Sequence, residues 1–402
     1  MRCSSKRQTK LTTCSSIENV QSRFVTSPRP MRRAVRLATV ATYLLVVVAG
    51  SNVISAKENY TIEWKPLFNG KNLDGWDTWL RAPQEEGAEK GEPLGLNNDP
   101  RKVFTVVDGK LRVSGEVFGC ISSKEEYADY EIRWKYRWGE KKWPPRLNQL
   151  RDSGFLYHCY GKHGAFWNAW KACVEYQVQE GDSGDYYFLA GPRGEVRVAD
   201  PKKEGYGKDY SATGELTTQS QRIVHSGSRR HRHGEWVDCH AIIRGDTSVH
   251  IVEGIVVNRA EKLQGRVDGK YVQLKKGHLQ FQSEAAEIFY KDIELRDLPQ
   301  GGSGEHSLET LTVSSKGLTI TVQNGVQHQA YLPAIELIGK HSKHFELADS
   351  PLPVRLGPGE VLLLELRAAE GFEIGDDLDL KCRLESLNGP VESSILDISE
   401  GL

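Results

Sequence analysis

The stretch Tyr130-Glu-Ile-Arg-Trp-Lys-Tyr-Arg-Trp138 alternates large apolar and charged residues without a break. Successive side chains of a β-strand point to opposite faces of a sheet. The alternation therefore places the apolar residues on one face and the charged residues on the other. Such a strand is half buried, with one face against a core and the other in water. This stretch predicts an antiparallel sheet covering one side of an apolar interior.

Similar short stretches, separated by turn residues, continue on both sides. Asp108-Gly109 and Gly245-Asp246-Thr247 each separate two of them and predict β-hairpins. The predicted strands are Lys102–Val107, Lys110–Ser114, Tyr130–Trp138, Phe155–Tyr160, Ala172–Gln179, Trp236–Arg244, Ser248–Val257, Gly277–Ser283 and Glu287–Leu295. Many short strands with little helical periodicity are typical of an all-β, two-sheet sandwich of jelly-roll type. Long polar loops at Arg81–Arg101, Gly139–Asp152 and Gly191–Ser220 are predicted to form its functional rims.

The composition changes at Leu298-Pro-Gln-Gly-Gly-Ser-Gly304, where residues 300–305 are predicted to be a flexible linker. Residues 306–402 are interpreted as a smaller immunoglobulin-like (Ig-like) β-sandwich. Its predicted strands are Leu311–Val322, Ala330–Ile338 and Val361–Arg367. No catalytic cluster appears in this segment, so we expect a spacer role or docking to an envelope partner.

Residues 1–56 are predicted to be an N-terminal extension and signal peptide. A basic segment at 32–36 precedes the apolar run Leu37–Ala49, and Ser55-Ala56 supplies small residues for cleavage. Met31 stands where a signal peptide would begin and is a candidate start of translation. The apolar run is shorter than the roughly 20 residues of a transmembrane helix, so no stable membrane span is expected after cleavage. The expected location is the periplasm, the cell surface or the medium.

The 402-residue chain has a formal net charge of −1, so no global field favours nucleic acid as a partner. The basic run Arg229–His233 is interpreted as a solvated loop. Nothing in the sequence resembles a P-loop, a dinucleotide fingerprint or a nucleophile elbow. Cys159 and Cys173 flank one loop and could close it as a disulfide. Five buried thiols in the mature chain are an equally good interpretation.

Seven motifs occur in order between residues 60 and 299. They are Phe68–Trp76 (FNGKNLDGW), Val106–Leu111 (VVDGKL), Tyr127–Ile132 (YADYEI), Asp152–His158 (DSGFLYH), Val174–Gly181 (VEYQVQEG), Gly277–Glu284 (GHLQFQSE) and Ile288–Leu295 (IFYKDIEL). In this order they resemble the 3-keto-disaccharide hydrolase family, formerly a domain of unknown function and also named for 3-keto-glucoside-1,2-lyase/3-keto-2-hydroxyglucal hydratase activity. The resemblance implies a concanavalin-like jelly roll acting on small-molecule or oligosaccharide 3-keto-glycosides. The family's usual Asn-Ser-Gly is Asp152-Ser153-Gly154 here, and a position that is often arginine is His158.

The implied reaction has defined chemical needs. A ketone at C3 acidifies the C2 hydrogen, so a base can remove it, and a general acid then assists departure of the C1 substituent. Addition of water to the enone completes a net hydrolysis. A hydrogen-bond donor or a metal ion must steady the enolate oxygen. A divalent cation is compatible with this chemistry, but the sequence shows no metal motif and no cofactor is assigned.

Glu175 is the first catalytic candidate, because it lies on a predicted strand among apolar residues, where burial raises the pKa of a carboxyl. His158 is the second; we expect it to share a strand face with Gly154 and Leu156 and to exchange protons near neutral pH. Either could be the base and the other the acid. Asp152 could polarise His158 or hold a cation. For all three, a purely structural role is the alternative.

Six residues are predicted to bind substrate. They are Tyr157, Trp167, Trp170, Gln177, Gln282 and Glu284. Gln177 lies two positions after Glu175 and faces the same way. The two tryptophans are either flat platforms for a sugar or core residues. The last two residues of the list are expected at the rim of the pocket or on a solvated strand edge.

The sequence is also compatible with functions other than this enzyme activity. The sandwich could bind a glycan without chemistry, or the chain could be a structural envelope protein. Glu175-Tyr-Gln-Val-Gln-Glu180 also resembles the Glu-x-Asp-x-x-Glu strand of jelly-roll retaining glucanases, with Gln177 replacing the central Asp. Retaining chemistry needs two carboxyls about 5–5.5 Å apart. Positions five apart on a regular strand face opposite ways, so this interpretation requires a bulge.

Overall fold

The computed structural model describes residues 63–84, 91–227, 233–298, 311–325 and 329–401. The predicted signal peptide with Met31, the predicted linker 300–305 and most of the basic run 229–233 lie outside these ranges. Regular structure in the described residues consists of β-strands and short 3₁₀ helices. Within the same residues, no helix has the length and apolar character needed to span a membrane.

Twenty strands occupy the described residues up to 298. They are β1 (Lys65–Pro66), β2 (Trp76–Leu80), β3 (Gly95–Leu96), β4 (Phe104–Val107), β5 (Lys110–Val113), β6 (Gly119–Ser123), β7 (Tyr130–Lys142), β8 (Gly154–Tyr160), β9 (Ala172–Gln177), β10 (Tyr186–Leu189), β11 (Arg193–Val198), β12 (Lys208–Asp209), β13 (Glu215–Gln219), β14 (Ile223–Val224), β15 (Val237–Arg244), β16 (Thr247–Val252), β17 (Ile255–Val267), β18 (Lys270–Gln273), β19 (His278–Ser283) and β20 (Ala286–Asp297).

Ten further strands and three 3₁₀ helices follow. The strands are β21 (Leu311–Lys316), β22 (Thr319–Asn324), β23 (Ala330–Leu332), β24 (Ala334–Ile338), β25 (Phe345–Leu347), β26 (Val354–Leu356), β27 (Val361–Ala368), β28 (Lys381–Ser386), β29 (Gly389–Pro390) and β30 (Leu396–Asp397). The 3₁₀ helices are Ser342–His344, Glu392–Ser394 and Ser399–Gly401.

Two large sheets form the sandwich. In the first sheet β7 lies between β15 and β20, which continue outward through β16 and β17 on one side and through β5 and β4 on the other. The second sheet has the order β12-β14-β10-β9-β8-β19-β6-β2-β3. Strand neighbours in both sheets are mostly antiparallel and often distant in sequence, as in a jelly roll. The predicted all-β jelly-roll sandwich is confirmed.

The core lies between these two sheets and is rich in aromatic rings. Trp134 of β7 contacts Phe155, Tyr176 and Phe281 of the second sheet, with ring centroids 4.7, 5.0 and 6.1 Å away. All four side chains are buried, which confirms the apolar face predicted for Tyr130–Trp138. The prediction that the charged face lies in water is wrong at Glu131, which is buried because Tyr331 of the C-terminal segment covers it. Because β8, β9 and β19 point one set of side chains into this core, the intervening residues lie on the opposite face of the second sheet.

Two predicted strands are hairpins. Ser248–Val257 contains β16 and β17, because Glu253 and Gly254 adopt left-handed backbone angles, φ 50° and 79°, and form a two-residue turn. Leu311–Val322 contains β21 and β22, which are separated at Gly317. The apolar residues on both sides of each turn concealed it, since they read as one continuous strand.

The predicted long loop Gly191–Ser220 contains β11, β12 and β13. β11 pairs with β13 and with β17, and therefore extends the first sheet. Val196 and Val198 of β11 are buried, but the residues between and around them are largely polar. The strand was missed because its apolar signal comes from only two side chains.

The five cysteines of the described residues are all free and buried. They are Cys120, Cys159, Cys173, Cys239 and Cys382. The interpretation as buried thiols is therefore confirmed, and the alternative disulfide across the loop is not formed. These side chains act as small apolar groups in the packing.

The C-terminal strands have a core of their own and also extend the first sheet, because β24 pairs in parallel with β17. Buried polar contacts cross this junction. The hydroxyl of Tyr210 donates to Glu336 Oε1 at 2.8 Å, and Arg259 pairs with Glu385. Residues 59–402 accordingly form one compact unit. The Ig-like assignment of residues 306–402 stays a prediction.

A buried ionic cluster lies where the C-terminal segment covers the outer face of the first sheet. Arg296 donates from Nε to Glu131, and neither side chain is exposed. The hydroxyl of Tyr331 donates to the same carboxylate at 3.2 Å, and its ring lies 4.0 Å from the Arg296 guanidinium. Burial would raise the pKa of Glu131, but His240 and Arg296 together lower it below its usual value. The carboxylate is therefore a buried charge neutralised by its partners.

Candidate active site

Three carboxyl groups meet on the face of the second sheet that is turned away from the core. Asp152 precedes β8, Glu175 lies within β9, and Glu284 follows β19. Asp152 and Glu284 form an isolated antiparallel bridge. All three side chains are buried. The cluster is therefore assembled from three segments that are separated in sequence, and the sequence analysis singled out every one of them.

Arg146 holds two of these carboxyls. Its Nη1 donates to Asp152 Oδ2, and its Nη2 donates to Glu284 Oε1 at 2.6 Å. The arginine side chain is 19% exposed, so it covers the carboxyls from the solvent side. Arg146 could not be singled out from the sequence, because it lies in a polar loop without periodicity. The sequence offered only an indirect indication of this arginine, because buried carboxylates that lie close together require a cation near them.

Gly154 makes room for two side chains of the cluster. A Cβ at this position would lie 2.3 Å from Glu175 Oε1 and 2.7 Å from Gln282 Oε1. Gln282 is hydrogen-bonded to Glu175. Among the described residues, Gln282 Oε1 and Asp152 Oδ1 are buried without a hydrogen-bond partner. Such atoms cost about 1–3 kcal/mol each when left unsatisfied, so they favour a polar ligand.

The cluster gives its carboxyls different proton affinities. Burial raises the pKa of Asp152 to about 6, although Arg146 opposes the rise. Burial raises the pKa of Glu175 well above its usual value, and repulsion by Glu284 and Asp152 raises it further. Burial and Asp152 also raise the pKa of Glu284. Glu175 therefore holds its proton more tightly than Asp152, which is the order that an acid and a base in one site require.

Tyr187 and Gln177 flank Glu175. Tyr187 of β10 lies directly opposite Glu175 in the strand register, and it is partly exposed. Gln177 follows on the same face of β9, as predicted, and is buried. Arg222 lies 5.7 Å from the Tyr187 ring and pairs with Asp185 at 2.6 Å. Tyr187 was missed because it stands in a run of aromatic residues, where the sequence does not show which one leaves the core.

His158 does not join the cluster. It has a left-handed backbone, φ 50°, and a register shift interrupts β8 here. Its ring donates from Nε2 to the Gly245 carbonyl at 3.0 Å and is fully buried. Burial lowers its pKa to about 4. The predictions that His158 shares a face with Gly154 and meets Glu175 in one cleft are wrong, because the bulge breaks the alternation.

Tyr157 and Trp170 are core residues. Tyr157 points between the sheets, and its hydroxyl is hydrogen-bonded to Ser248 Oγ at 2.8 Å and to His250 Nε2 at 3.0 Å. Trp170 is buried and donates from Nε1 to the Gly119 carbonyl at 2.8 Å. Neither ring is available to a sugar at this surface, so the substrate-binding predictions for both are wrong.

The other predicted binding residues have different positions. Trp167 is 47% exposed and stacks on Phe166, with ring centroids 4.8 Å apart. Its role as a sugar platform stays a prediction. Gln282 and Glu284 were expected at the rim of the pocket, but they lie within the buried cluster, because β19 is a central strand of the second sheet.

Within the described ranges, no group of three or more His, Cys, Asp or Glu is arranged to hold a metal ion. Arg146 already engages Asp152 and Glu284. The divalent cation considered from the sequence therefore stays a prediction without a defined ligand set. The glucanase pattern is also incomplete, because Glu180 follows the end of β9 and pairs with Arg151 at 2.9 Å.

A jelly-roll sandwich with clustered carboxyls on one sheet face is an architecture that occurs among carbohydrate-active proteins. Residues 63–296 match the family described as the 3-keto-alpha-glucoside-1,2-lyase-like domain. The match spans more than half of the chain, so the chain belongs to this family. The resemblance inferred from the seven motifs is confirmed, and the family places the chain among carbohydrate-active proteins.

Solved structures with similar folds share little sequence with the chain. A proposed glycosyl hydrolase from Parabacteroides distasonis is 18% identical, covers 59% of this chain and 94% of its own, and has a TM-score of 0.35. The carbohydrate-binding module CBM66 from Bacillus subtilis is 10% identical, with coverages of 56% and 96% and a TM-score of 0.29. The β-glucanase of Bacillus licheniformis is 8% identical, with coverages of 59% and 98% and a TM-score of 0.32. No curated protein matches the chain.

Proposed function

We propose that the chain is an exported enzyme that cleaves 3-keto-glycosides by removing the C2 proton, expelling the C1 substituent and hydrating the enone. The observation that carries this proposal is the pair of buried carboxyls on one sheet face, Asp152 and Glu175, whose surroundings raise their pKa values to different extents. The family supports the class of substrate. Export rests on the sequence of residues 1–56 alone.

Asp152 is assigned as the base. Its Oδ2 is held by Arg146, and its Oδ1 has no partner among the described residues. A carboxyl with a pKa of about 6 is ionised at neutral pH and still basic enough to accept a proton from an activated carbon. Removal of the C2 proton places negative charge on the C3 oxygen. Arg146 supplies positive charge beside the base, where it stabilises this enolate.

Glu175 is assigned as the acid. It donates its proton to the glycosidic oxygen as the C1–O bond breaks, which releases the aglycone as an alcohol and leaves a C1=C2 enone. The Glu175 carboxylate then takes a proton from water, whose oxygen adds to C1. Asp152 returns its proton to C2, so both carboxyls regain their starting states and the net reaction is hydrolysis.

The substrate is proposed to enter beside Arg146 and Tyr187, which are the partly exposed members of the group. The amides of Gln177 and Gln282 would orient sugar hydroxyls without adding charge. Trp167 is retained as a candidate platform, on its exposure alone.

The direct test is incubation of the purified mature chain with a 3-keto-glucoside. We expect release of the aglycone together with transient absorbance of the conjugated enone. The assay is run with and without added divalent cation. Glycan binding without turnover in either condition would instead support the non-catalytic binding module.

The value of kcat/KM is expected to rise with pH through about 6, because Asp152 acts only when ionised and loses its proton as the pH passes its pKa. Replacement of Asp152 by Asn should remove this limb and lower kcat/KM about 10²- to 10⁴-fold. The measurement is a profile of kcat/KM between pH 4 and 9. If the Asn variant still shows the rise of kcat/KM through about pH 6, that rise belongs to the titration of another group.

Gly154→Ala is expected to lower kcat/KM about 100-fold, because a displacement of about 1 Å at a reacting group can have that effect. The added Cβ would lie 2.3 Å from Glu175 Oε1 and must move that carboxyl. Gly375→Ala is the control, since its Cβ would meet only Asp377 at 3.3 Å. Steady-state kinetics of the two variants separate the outcomes; near wild-type activity of Gly154→Ala would contradict the assigned position of Glu175.

A further inference from the structure

Tyr206 is a large aromatic residue with 68% of its surface exposed. It lies between Gly205 and Gly207, both with left-handed backbone angles, φ 94° and 96°. The loop is anchored directly after Tyr206, because the Lys208 amide donates to the Arg222 carbonyl at 3.1 Å and β12 pairs with β14. An exposed tyrosine is thus presented at the edge of the second sheet by two glycines that permit the tight backbone path.

The Tyr206 ring lies next to the ring of Tyr187. Its centroid lies 6.2 Å from that of Tyr187, at an interplanar angle of 46°. Tyr187 is in turn directly opposite Glu175 in the strand register. Burial raises the pKa of the Tyr206 hydroxyl, and Glu175 raises it further when ionised. Two neighbouring aromatic rings, those of Tyr187 and Tyr206, therefore lie on the side of the site where Glu175 lies.

We propose that Tyr206 and Tyr187 form the subsite that contacts the ring of the aglycone. The inference rests on the proposed function, in which Glu175 protonates the glycosidic oxygen. The aglycone is attached to that oxygen and must therefore lie beside Glu175. Aromatic side chains bind the C–H face of a pyranose or the face of an aryl ring, whereas a methyl aglycone is too small to reach Tyr206.

The ring of the aglycone is either a pyranose, as in a disaccharide, or an aryl group, since these two tyrosines can contact either. Both ring types offer a flat face, and the experiment distinguishes them. The Arg222 guanidinium lies 5.7 Å from the Tyr187 ring and is held by Asp182 and Asp185. At this position a cation can contact either a pyranose hydroxyl or the face of an aryl ring.

The test compares Tyr206→Ala and Tyr206→Phe with wild type on a 3-keto-disaccharide, p-nitrophenyl 3-keto-glucoside and methyl 3-keto-glucoside. Tyr206→Ala should raise KM about 5- to 10-fold for the two ring aglycones. It should leave the methyl glycoside within about twofold, because that substrate makes no stacking contact to lose. Tyr206→Phe keeps the ring and should retain KM for all three. Equal effects on the three substrates, or none, would overturn the subsite.

Tyr271→Ala is the matched control, because Tyr271 is also an exposed tyrosine beside an arginine, with Arg193 3.6 Å from its ring. It should leave every KM unchanged. If wild type turns over none of the substrates, the proposed chemistry fails, and binding of the intact disaccharide is then measured by calorimetry. Weaker binding by Tyr206→Ala than by Tyr271→Ala would still support the subsite, and equal binding would overturn it.

Discussion

Glu175→Gln is expected to lower kcat for 3-keto-glycoside cleavage about 10³-fold, because it removes the proton that the leaving group needs. The amide keeps the size of the side chain and can keep a hydrogen bond to Gln282. Stability should be equal or higher at neutral pH. A carboxyl whose pKa is raised in the folded state destabilises that state once the pH exceeds its unfolded pKa, and glutamine removes this cost. Single-turnover kinetics and thermal unfolding provide the two measurements.

Glu385→Gln is the matched control for this variant. Glu385 is also buried, and burial raises its pKa to about 7, but it lies in the C-terminal segment and pairs with Arg259. Its replacement should leave kcat unchanged. If Glu175→Gln kept more than a tenth of the wild-type kcat, the acid would have to be another group of the cluster.

Arg296→Met is expected to lower the free energy of unfolding at neutral pH by about 3–5 kcal/mol. The substitution leaves Glu131 as a buried charge without its arginine partner, since neither side chain is exposed. Because the partners hold the pKa of Glu131 below its usual value, the pair stabilises the fold above the unfolded pKa, and this contribution disappears as the pH falls. Urea unfolding at pH 7 and at pH 4 measures both effects.

Arg133→Met is the control for this prediction. Arg133 pairs with Glu294 at 2.7 Å on the same two strands, but its side chain is 37% exposed. An exposed pair contributes about 0–1 kcal/mol, so the loss should be correspondingly small. The double variant Arg296→Met with Glu131→Gln should recover part of the stability, because no buried charge remains. Equal losses in the two arginine variants would show that burial is not the cause.

The alternation of apolar and polar residues was enough to predict the sandwich and most of its strands. It also predicted which side chains leave the core where strands are regular. Because side chains alternate along these strands, the face of the second sheet turned away from the core carries Asp152, Glu175, Gln177, Gln282 and Glu284. The family motifs named the same segments, so residue pattern and resemblance agreed on this part of the site.

The rule failed where the backbone departs from a regular strand. The bulge in β8 turned His158 to the other side of the sheet. Arg146 and Tyr206 come from loops, which have no periodicity to reveal their direction. Tyr187 belongs to a run of aromatic residues in which the sequence does not distinguish the one that faces away from the core. The positions of side chains in loops and bulges could therefore be found only from the structure.

Because β24 pairs in parallel with the beginning of β17, the C-terminal segment also covers an edge of the first sheet. A polypeptide that stopped at residue 298 would leave N–H and C=O groups of β17 without partners, and would leave Arg259 without its carboxylate. Unprotected strand borders of this kind recruit other chains and lead to aggregation. The C-terminal residues therefore protect the sandwich against association with other chains.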